Sequence, residues 1–418
     1  MCEKDKTKKF NPNIFFAIAI VLGVITGAMQ IPFLFTVAEM VSQVFINLLK
    51  LVSLPIIFLS IVSTASGMDS LEHIKILGRK VIKYTFLTTI IAATVALFLF
   101  IVIQPVRSVV PLLDSNSPLT NGDQQKTYLT FFLQIVPSNV IQPFSENNVI
   151  GVLFLALLLS IAIITLPSNH RSVLHSFFSS IYAAIITVTR WVVAIMPIAI
   201  WAFIVIFMRD MQKGLDVKSL ALYLVCILSA NLIQAFLILP GLLQYKNISP
   251  WRMIKGMAPA LSVAFFTKSS AAALPAAIRC AEENVGISRR VASFTLPLCT
   301  TINMNACAAF ILITVLFVSM SQGMTYTYPE MFLWIILSTI AAIGNAGVPM
   351  GCYFLASAFL AAMNVPLHIL GIILPFYTLI DMLESAINVW SDSCVAAVVQ
   401  QEINEEGLMI ESPSTHKI

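Results

Sequence analysis

Three carboxylates, Asp381, Glu384 and Asp392, stand inside an apolar stretch at 368–399 that is long enough to cross a bilayer as one helix. At about 100° per residue, Asp381, Ser385, Asn388 and Asp392 fall on one stripe with Glu384 at its edge. Leu383, Ile387, Trp390 and Cys394 lie opposite. An ionisable group at membrane depth is costly unless it is paired, hydrated or bound to an ion. Helix packing is ordinarily served by Ser, Thr and Asn rather than by acids. The stripe therefore reads as a site for cations, or for something cationic.

The rest of the chain fits that setting. Of its 418 residues 58% are hydrophobic and only 11% charged, with a mean hydropathy of +0.91. A soluble domain of this length carries about twice that charge, so the chain reads as an all-α polytopic membrane protein. The net charge of +4 matters through its placement. Lys4, Lys6, Lys8 and Lys9 precede the first apolar segment. Further basic groups sit at Lys75–Lys83, at Lys246–Lys255 and at Arg279–Arg290, whereas 115–125 and 321–330 lack them. The positive-inside rule places the N-terminus and the basic loops in the cytoplasm. The expectation is a multi-pass protein of the plasma (inner) membrane with both termini cytoplasmic. No small-residue cleavage site follows 14–29, so the start does not read as a signal peptide. Seven scattered cysteines form neither a disulfide framework nor a zinc spacing.

In chain order, apolar segments are expected at 14–29, at 41–63 (interrupted by Lys50 and Pro55) and at 81–102, with Thr88 and Thr89 as a polar pair. A polar loop at 104–126 and an irregular region at 128–166 follow. Then come a long segment at 177–207 containing Arg190, read as snorkelling or structurally paired, and a plain span at 221–243. After Pro250 the segments are broken. TKSSAAALP at 267–275 interrupts one, TTINMNA at 300–306 a second and GNAGVP at 344–349 a third. Two units result, each a re-entrant hairpin followed by a span, over 257–319 and 332–399. Interrupted segments at matching positions of two halves are a sequence pointer to a transporter's site.

The breaks carry their own chemistry. Lys268, Ser269 and Ser270 offer a cation, hydroxyls and free backbone N–H groups at a helix start, which suits a substrate carboxylate. The glycine-rich turn at 344–349 suits a gate. The break at Asn303, Met304 and Asn305 frees carbonyls that, with Asn388 and Asp392, give hard oxygen ligation for a small cation. An intramembrane enzyme needs a nucleophile–base pair or a metal triad. None of His73, His170, His175, His368 and His416 lies mid-helix beside a serine or acid at useful spacing, and no HExxH occurs. A channel needs repeated rings of ligands, whereas the chain has one asymmetric site between two repeats. No nucleic-acid partner is expected; membrane lipid is.

These residues resemble the dicarboxylate/amino acid:cation symporter family, the glutamate-transporter homologues. The motifs, in family order, are LLKLVSLPIIFLSIV (48–62), IVPSN (135–139), MPIAIWAFI (196–204), the serine tip before Leu274-Pro275, SFTLPLCTTINMN (293–305), AGVP (346–349) and DMLESAINVWSD (381–392). The resemblance implies eight transmembrane helices plus two re-entrant helical hairpins, a homotrimer, and scaffold and elevator-type transport domains. On that scheme 1–12 is a cytoplasmic N-terminus. Residues 13–249 hold six helices, of which the first, second, fourth and fifth form the scaffold. Residues 250–400 hold the transport core, and 401–418 is a cytoplasmic tail.

The resemblance also assigns roles. Ser269 and Ser270 at the first hairpin tip, Val348 at the second, and Asp381, Glu384, Ser385, Asn388 and Cys307 surround the substrate. Asp381 takes its ammonium, and Asn388 with hairpin-tip backbone takes its α-carboxylate. Asp392, Asn388, Asn303 and the Cys299 carbonyl form one sodium site. Thr301 with the carbonyls of Ala342, Ile343 and Asn345 forms a second; Thr88, Thr89, Asn303 and Asn305 surround a third. No covalent cofactor is implied; sodium, or a proton, is the coupling ion.

Departures from the pattern bear on substrate. Glu384 stands where members that take acidic substrates carry an arginine, and a glutamate there repels a side-chain carboxylate. The NMDGT motif reads Asn303-Met304-Asn305-Ala306-Cys307, which removes an aspartate and puts a thiol in place of a threonine. Ala271 replaces a third tip serine. With FFTKSSAA (265–272) and TINM (301–304), these features resemble the serine/threonine:sodium branch. A neutral or cationic amino acid is the expected substrate. The alternatives are an acidic amino acid or C4-dicarboxylate carried with Glu384 protonated and, more distantly, an ion channel.

Overall fold

The computed structural model of the chain describes residues 12–66, 73–107, 136–145, 149–212, 217–345 and 350–405. Every regular element among them is helical. The order is α1 (Pro12–Ala28), α2 (Pro32–Ser66), α3 (His73–Ile103), α4 (Val149–Thr165), α5 (Ser168–Ala194), α6 (Met196–Gln212) and α7 (Val217–Tyr245). The second half holds α8 (Pro250–Thr267), α9 (Ser270–Cys280), α10 (Arg289–Ile302), α11 (Asn305–Ser321), α12 (Tyr328–Ile343), α13 (Gly351–Ala362) and α14 (His368–Glu405). Among the described residues, Leu77–Ile103, Ser168–Val192, Val217–Tyr245, Arg289–Ser321 and His368–Glu405 are long and apolar enough to cross a membrane. Lys4, Lys6, Lys8 and Lys9, the loop from 108 onward, Val348 and the tail beyond Glu405 lie outside the described residues.

Prolines explain where the helices differ from the expected segments. α2 is one 35-residue helix that runs through Lys50 and Pro55, although the sequence reads as interrupted there. A proline removes one donor, and neighbouring helices make that tolerable in a membrane helix. α4, α5 and α6 all pack along α2. The segment expected at 177–207 is instead two helices that part at Ile195, because Pro197 can start a helix but not continue one. The span expected to be plain at 221–243 widens into a π turn at Gln234–Ile238, just before Pro240. Arg190 is exposed on α5.

Packing sorts the helices into two groups. α2 carries α4, α5 and α6, and α1 lies on α6. In the second group α3 packs on α7, α11 and α12, while α14 runs between α8, α10 and α11. The groups meet where α2 touches α13 and α6 touches α14. At that second contact a Cβ on Gly371 would fall 2.0 Å from Phe203 Cε1, so only a glycine lets the ring lie against the α14 backbone. Between membrane helices close packing, rather than water exclusion, supplies the attraction.

From Glu384 to Val399 α14 is buried on nearly every side, whereas Leu379 is exposed and Leu383 half-buried. The side opposite the acidic stripe, Ile387, Trp390 and Cys394, is buried as fully as the stripe itself. The Trp390 indole N–H donates to the Ala235 carbonyl inside the π turn of α7, at 3.1 Å. At the far end Glu402 accepts from Lys246 at 2.7 Å, from Lys80 at 3.2 Å and from the Tyr84 hydroxyl. One carboxylate thus ties α3, the end of α7 and α14 together. Its hydrogen bond holds the Lys246 ammonium above the usual lysine range.

Candidate substrate and cation sites

α10 stops at Ile302, Asn303 and Met304 leave helical geometry without becoming extended (φ −101°, ψ 68° and φ −106°, ψ 65°), and α11 starts at Asn305. Asn and Thr side chains compete with the backbone for hydrogen bonds, which favours a stop in TTINMN. Two helix ends then face each other in the interior, the arrangement that exposes backbone dipoles to an ion. The side chains at the break turn to α3 and α14. Asn303 donates to Ser391 Oγ and to Asp392 Oδ1, each at 2.9 Å. Its Oδ1 accepts from Thr88 Oγ1 at 3.2 Å. Asn305 donates to Ser391 Oγ at 2.6 Å and accepts from Thr89 Oγ1 at 2.8 Å. Asn388 Oδ1 accepts from the Ala306 amide at 3.0 Å. All of these groups are buried, and Asp392 Oδ2 accepts no hydrogen bond of good geometry, although the Thr300 hydroxyl acts on the same carboxylate. One carboxylate among amide and hydroxyl oxygens is a hard donor set of low charge. Among the described residues no three His, Cys, Asp or Glu side chains form a metal-holding group.

Two to three turns of helix from Asp392, Glu384 and Asp381 share one partner. The Tyr377 hydroxyl lies 3.3 Å from Asp381 Oδ1 and 3.4 Å from Glu384 Oε2. Their other oxygens, Asp381 Oδ2 and Glu384 Oε1, are buried and accept no hydrogen bond of good geometry. The Met350 amide and the Lys268 charge act on Asp381, and the Cys352 thiol approaches Glu384. Cys307 and Cys352 approach each other beside the two acids.

The turn between α8 and α9 and the start of α13 come close to this region, through Lys268 and the Met350 amide. The first turns more tightly than the expected break at 267–275. Lys268 is left-handed (φ 54°), Ser269 is extended, and α9 resumes at once with Ser270. Ser269 Oγ accepts from the Ala272 amide at 3.2 Å and so caps α9. Ser270 is buried behind it. At the second tip α12 ends at Ile343 and α13 begins after Met350 (φ 61°). Asn345 folds back on the start of α13, its amide 3.6 Å from Cys352 Sγ. A Cβ on Gly351 would lie 1.4 Å from Asn345 Oδ1, so this contact requires glycine.

The sequence pattern of the sodium:dicarboxylate symporter family matches residues 12–402. The chain belongs to that family. Membership makes it a multi-pass membrane transporter and not an enzyme. Among curated members, neutral amino acid transporter A of Homo sapiens is 25% identical, over 85% of this chain and 74% of its own length. Neutral amino acid transporter B(0) of Bos taurus is 25% identical over 87% and 73%. A Caenorhabditis elegans protein named for sodium-dependent excitatory amino acid transport is 27% identical over 86% and 81%.

Within this symporter the expected residues divide. Thr88, Thr89, Asn303, Asn305, Asn388 and Asp392 come together around the α10–α11 break. The Cys299 carbonyl lies beside it and accepts the Asn303 amide at 2.8 Å. Asp381, Glu384, Cys307 and the buried Ser385 gather on the α14 side. Thr301 is only half-buried, and its hydroxyl donates to the Leu298 carbonyl at 2.7 Å within its own helix. The Ala342 carbonyl, near it in the expected scheme, accepts the Asn345 amide at 3.1 Å. Ile343 is half-buried at the end of α12. Val348 falls outside the described residues. Ser391, Tyr377 and Cys352 were not anticipated. Ser391 stands next to Asp392 and one turn from Asn388, and Tyr377 one turn before Asp381, so helical spacing alone could have flagged both.

Proposed function

We propose that the protein is a secondary active symporter that carries a neutral amino acid into the cell, coupled to sodium. Glu384 carries the substrate claim. It is 1% exposed, and it stands beside Asp381 at the position where an acidic substrate needs a cation. A second carboxylate brought there repels both acids in a poorly solvated site. The names of the two mammalian relatives support the same class. Asp381 takes the substrate ammonium, while Asn388 and the hairpin tips, with Ser269, Ser270 and Val348, take its carboxylate. Asp392, Asn388, Asn303 and the Cys299 carbonyl hold one sodium; Thr88, Thr89 and Asn305 extend that cluster toward a further ion. Thr301 with the carbonyls of Ala342, Ile343 and Asn345 is the remaining ion position. α1, α2, α4, α5 and α6 act as scaffold in a homotrimer of the inner membrane. α3, α7 and the hairpin-bearing half move past them as an elevator.

Uptake of labelled serine, threonine and aspartate into vesicles under imposed sodium and proton gradients tests this. Saturable, sodium-driven serine or threonine uptake is the expected result. Strong saturable aspartate or glutamate uptake sinks the substrate class. The family's name and the C. elegans relative favour a second reading, an acidic substrate carried with Glu384 protonated. It requires aspartate uptake that strengthens as the outside is acidified.

A further inference from the structure

We infer that Cys307 and Cys352 form a modification site, a thiol pair that a small disulfide oxidant converts into a bond between α11 and α13, and that this bond switches transport off. The inference rests on the symporter reading above and adds a regulation that reading does not contain. The six described cysteines are all free and buried, and they stand on six different helices. A buried thiol ordinarily serves as a small apolar filler. These two have a different setting. Cys307 lies in the first turn of α11 and Cys352 in the first turn of α13, and the two helices pack on each other. The thiols meet as hydrogen-bonding partners. Cys352 Sγ also receives the Asn345 side-chain amide at 3.6 Å, and its thiol approaches Glu384.

A disulfide places its sulfurs about 2.05 Å apart, so two thiols already in contact need only a small shift to form one. α13 begins at Gly351, directly after the left-handed Met350 (φ 61°). Cys352 thus sits at a helix end, where the hydrogen-bond ladder is incomplete and holds the backbone less firmly than in mid-helix. It is also the more exposed of the two, at 3% against 0%. A buried thiol is inert until it is exposed, so exchange proceeds from states in which α13 has parted from α11. The Cys352 thiolate then attacks one sulfur of the oxidant, a mixed disulfide forms on Cys352, and one small thiol leaves. The Cys307 thiolate attacks Cys352 Sγ, the S–S bond closes, and the second small thiol leaves. Two protons pass from the cysteines to the departing thiolates, and the oxidant is reduced by two electrons. The closed bond fixes α13 to α11 and puts two sulfurs beside Asp381 and Glu384, in the space proposed for the substrate. Bound substrate fills that space first and shields the pair.

The test uses the full chain in proteoliposomes with hydroxyethyl disulfide as oxidant. After treatment, free thiols are blocked with iodoacetamide and peptides are mapped by mass spectrometry without reductant. The wild type should yield peptides linked through Cys307 and Cys352, with neither sulfur alkylated, and dithiothreitol should separate them. Sodium-driven uptake of labelled serine is lost with the oxidant and returns with dithiothreitol. Serine and sodium present during treatment slow both changes. In Cys307→Ser the exchange stops at its first stage, and Cys352 carries the hydroxyethyl thiol. In Cys352→Ser the linked peptides are absent, and the uptake measured before treatment survives it; Cys352→Ala serves where serine is not tolerated. A wild type with both thiols alkylated after treatment overturns the inference. So do linked peptides that leave uptake unchanged, or a Cys352 variant that loses uptake as the wild type does. A wild type that carries no amino acid before treatment overturns the symporter reading instead, and the linked peptides still report on the thiol pair.

Discussion

Asn303 donates its side-chain amide to Asp392 Oδ1 across 2.9 Å and so joins the break between α10 and α11 to the last acid of the α14 stripe. The bond fixes the carboxylate with one oxygen committed and the other, Oδ2, unmet. Ser391 stands between them and accepts from both Asn303 and Asn305.

Asp392→Asn keeps the shape and removes the charge. On the proposed function, the half-saturating sodium concentration for serine uptake should rise at least ~10-fold, since an amide replaces the one carboxylate that the cluster has among the described residues. Ser391→Ala takes one acceptor from each of two buried amides; Asn303 keeps Asp392, and the lost bond of Asn305 costs about 1–3 kcal/mol. The variant should shift sodium dependence in the same direction and lower thermal stability. A sodium titration of uptake reads both variants. An unchanged titration in Asp392→Asn places the ion elsewhere.

Glu384→Gln tests repulsion separately from fit. Glutamine fills the same space and still accepts a hydroxyl, but carries no charge. Aspartate should then compete with serine roughly ten-fold better than in the wild type, because the charge opposing its side chain has gone. Serine uptake itself should change less. Competition curves at fixed sodium decide the matter.

Gly351→Ala puts a methyl where Asn345 Oδ1 now lies, 1.4 Å away. Either Asn345 must swing out or the start of α13 must move. The expected cost is about 1–3 kcal/mol, seen as a lower melting temperature and slower uptake. The double variant Asn345→Ala/Gly351→Ala should recover part of the loss, since its two sites are in contact and their effects are not additive.

Glu402→Gln releases the clasp and leaves Lys80 and Lys246 facing each other. Water reaches this end of the molecule, so after screening the loss is about 1 kcal/mol, smaller still at high salt. The Lys246 ammonium is held above the ordinary lysine value of 10.5. Its contribution is therefore complete below that pH and disappears as pH rises through the higher, folded-state value. Melting curves of wild type and variant should run parallel from pH 6 to 9 and converge only in strong alkali.

The chain shows its breaks plainly because Gly, Pro, Asn and Ser interrupt apolar runs where backbone must be satisfied by other means. The restart at Asn305, the hairpin turn near Ser269 and the acidic face of α14 were all legible for that reason. Proline was a less faithful guide. Pro55 reads as a stop yet sits inside α2, because neighbouring helices decide whether a lost donor matters. Side-chain partnerships were harder still. Ser391 looks like packing glue and Tyr377 like an aromatic filler until α10, α11 and α14 are placed together. Thr301 shows the converse, since its place in a motif does not reveal that its hydroxyl is taken by its own helix.

Because α14 is continuous from His368 to Glu405, it works as a ruler. Asp381 and Asp392 are eleven residues apart, about 16 Å along an unbroken helix. No rearrangement that keeps the rod intact brings the proposed substrate ammonium and the proposed cation closer together. Cooperation between them must then travel through the helix itself or sideways, for instance through Asn388, which lies between the two acids in sequence and is bonded to the start of α11. If the proposed elevator carries α14 as one rod, the distance that keeps the two charges from meeting also obliges them to travel together.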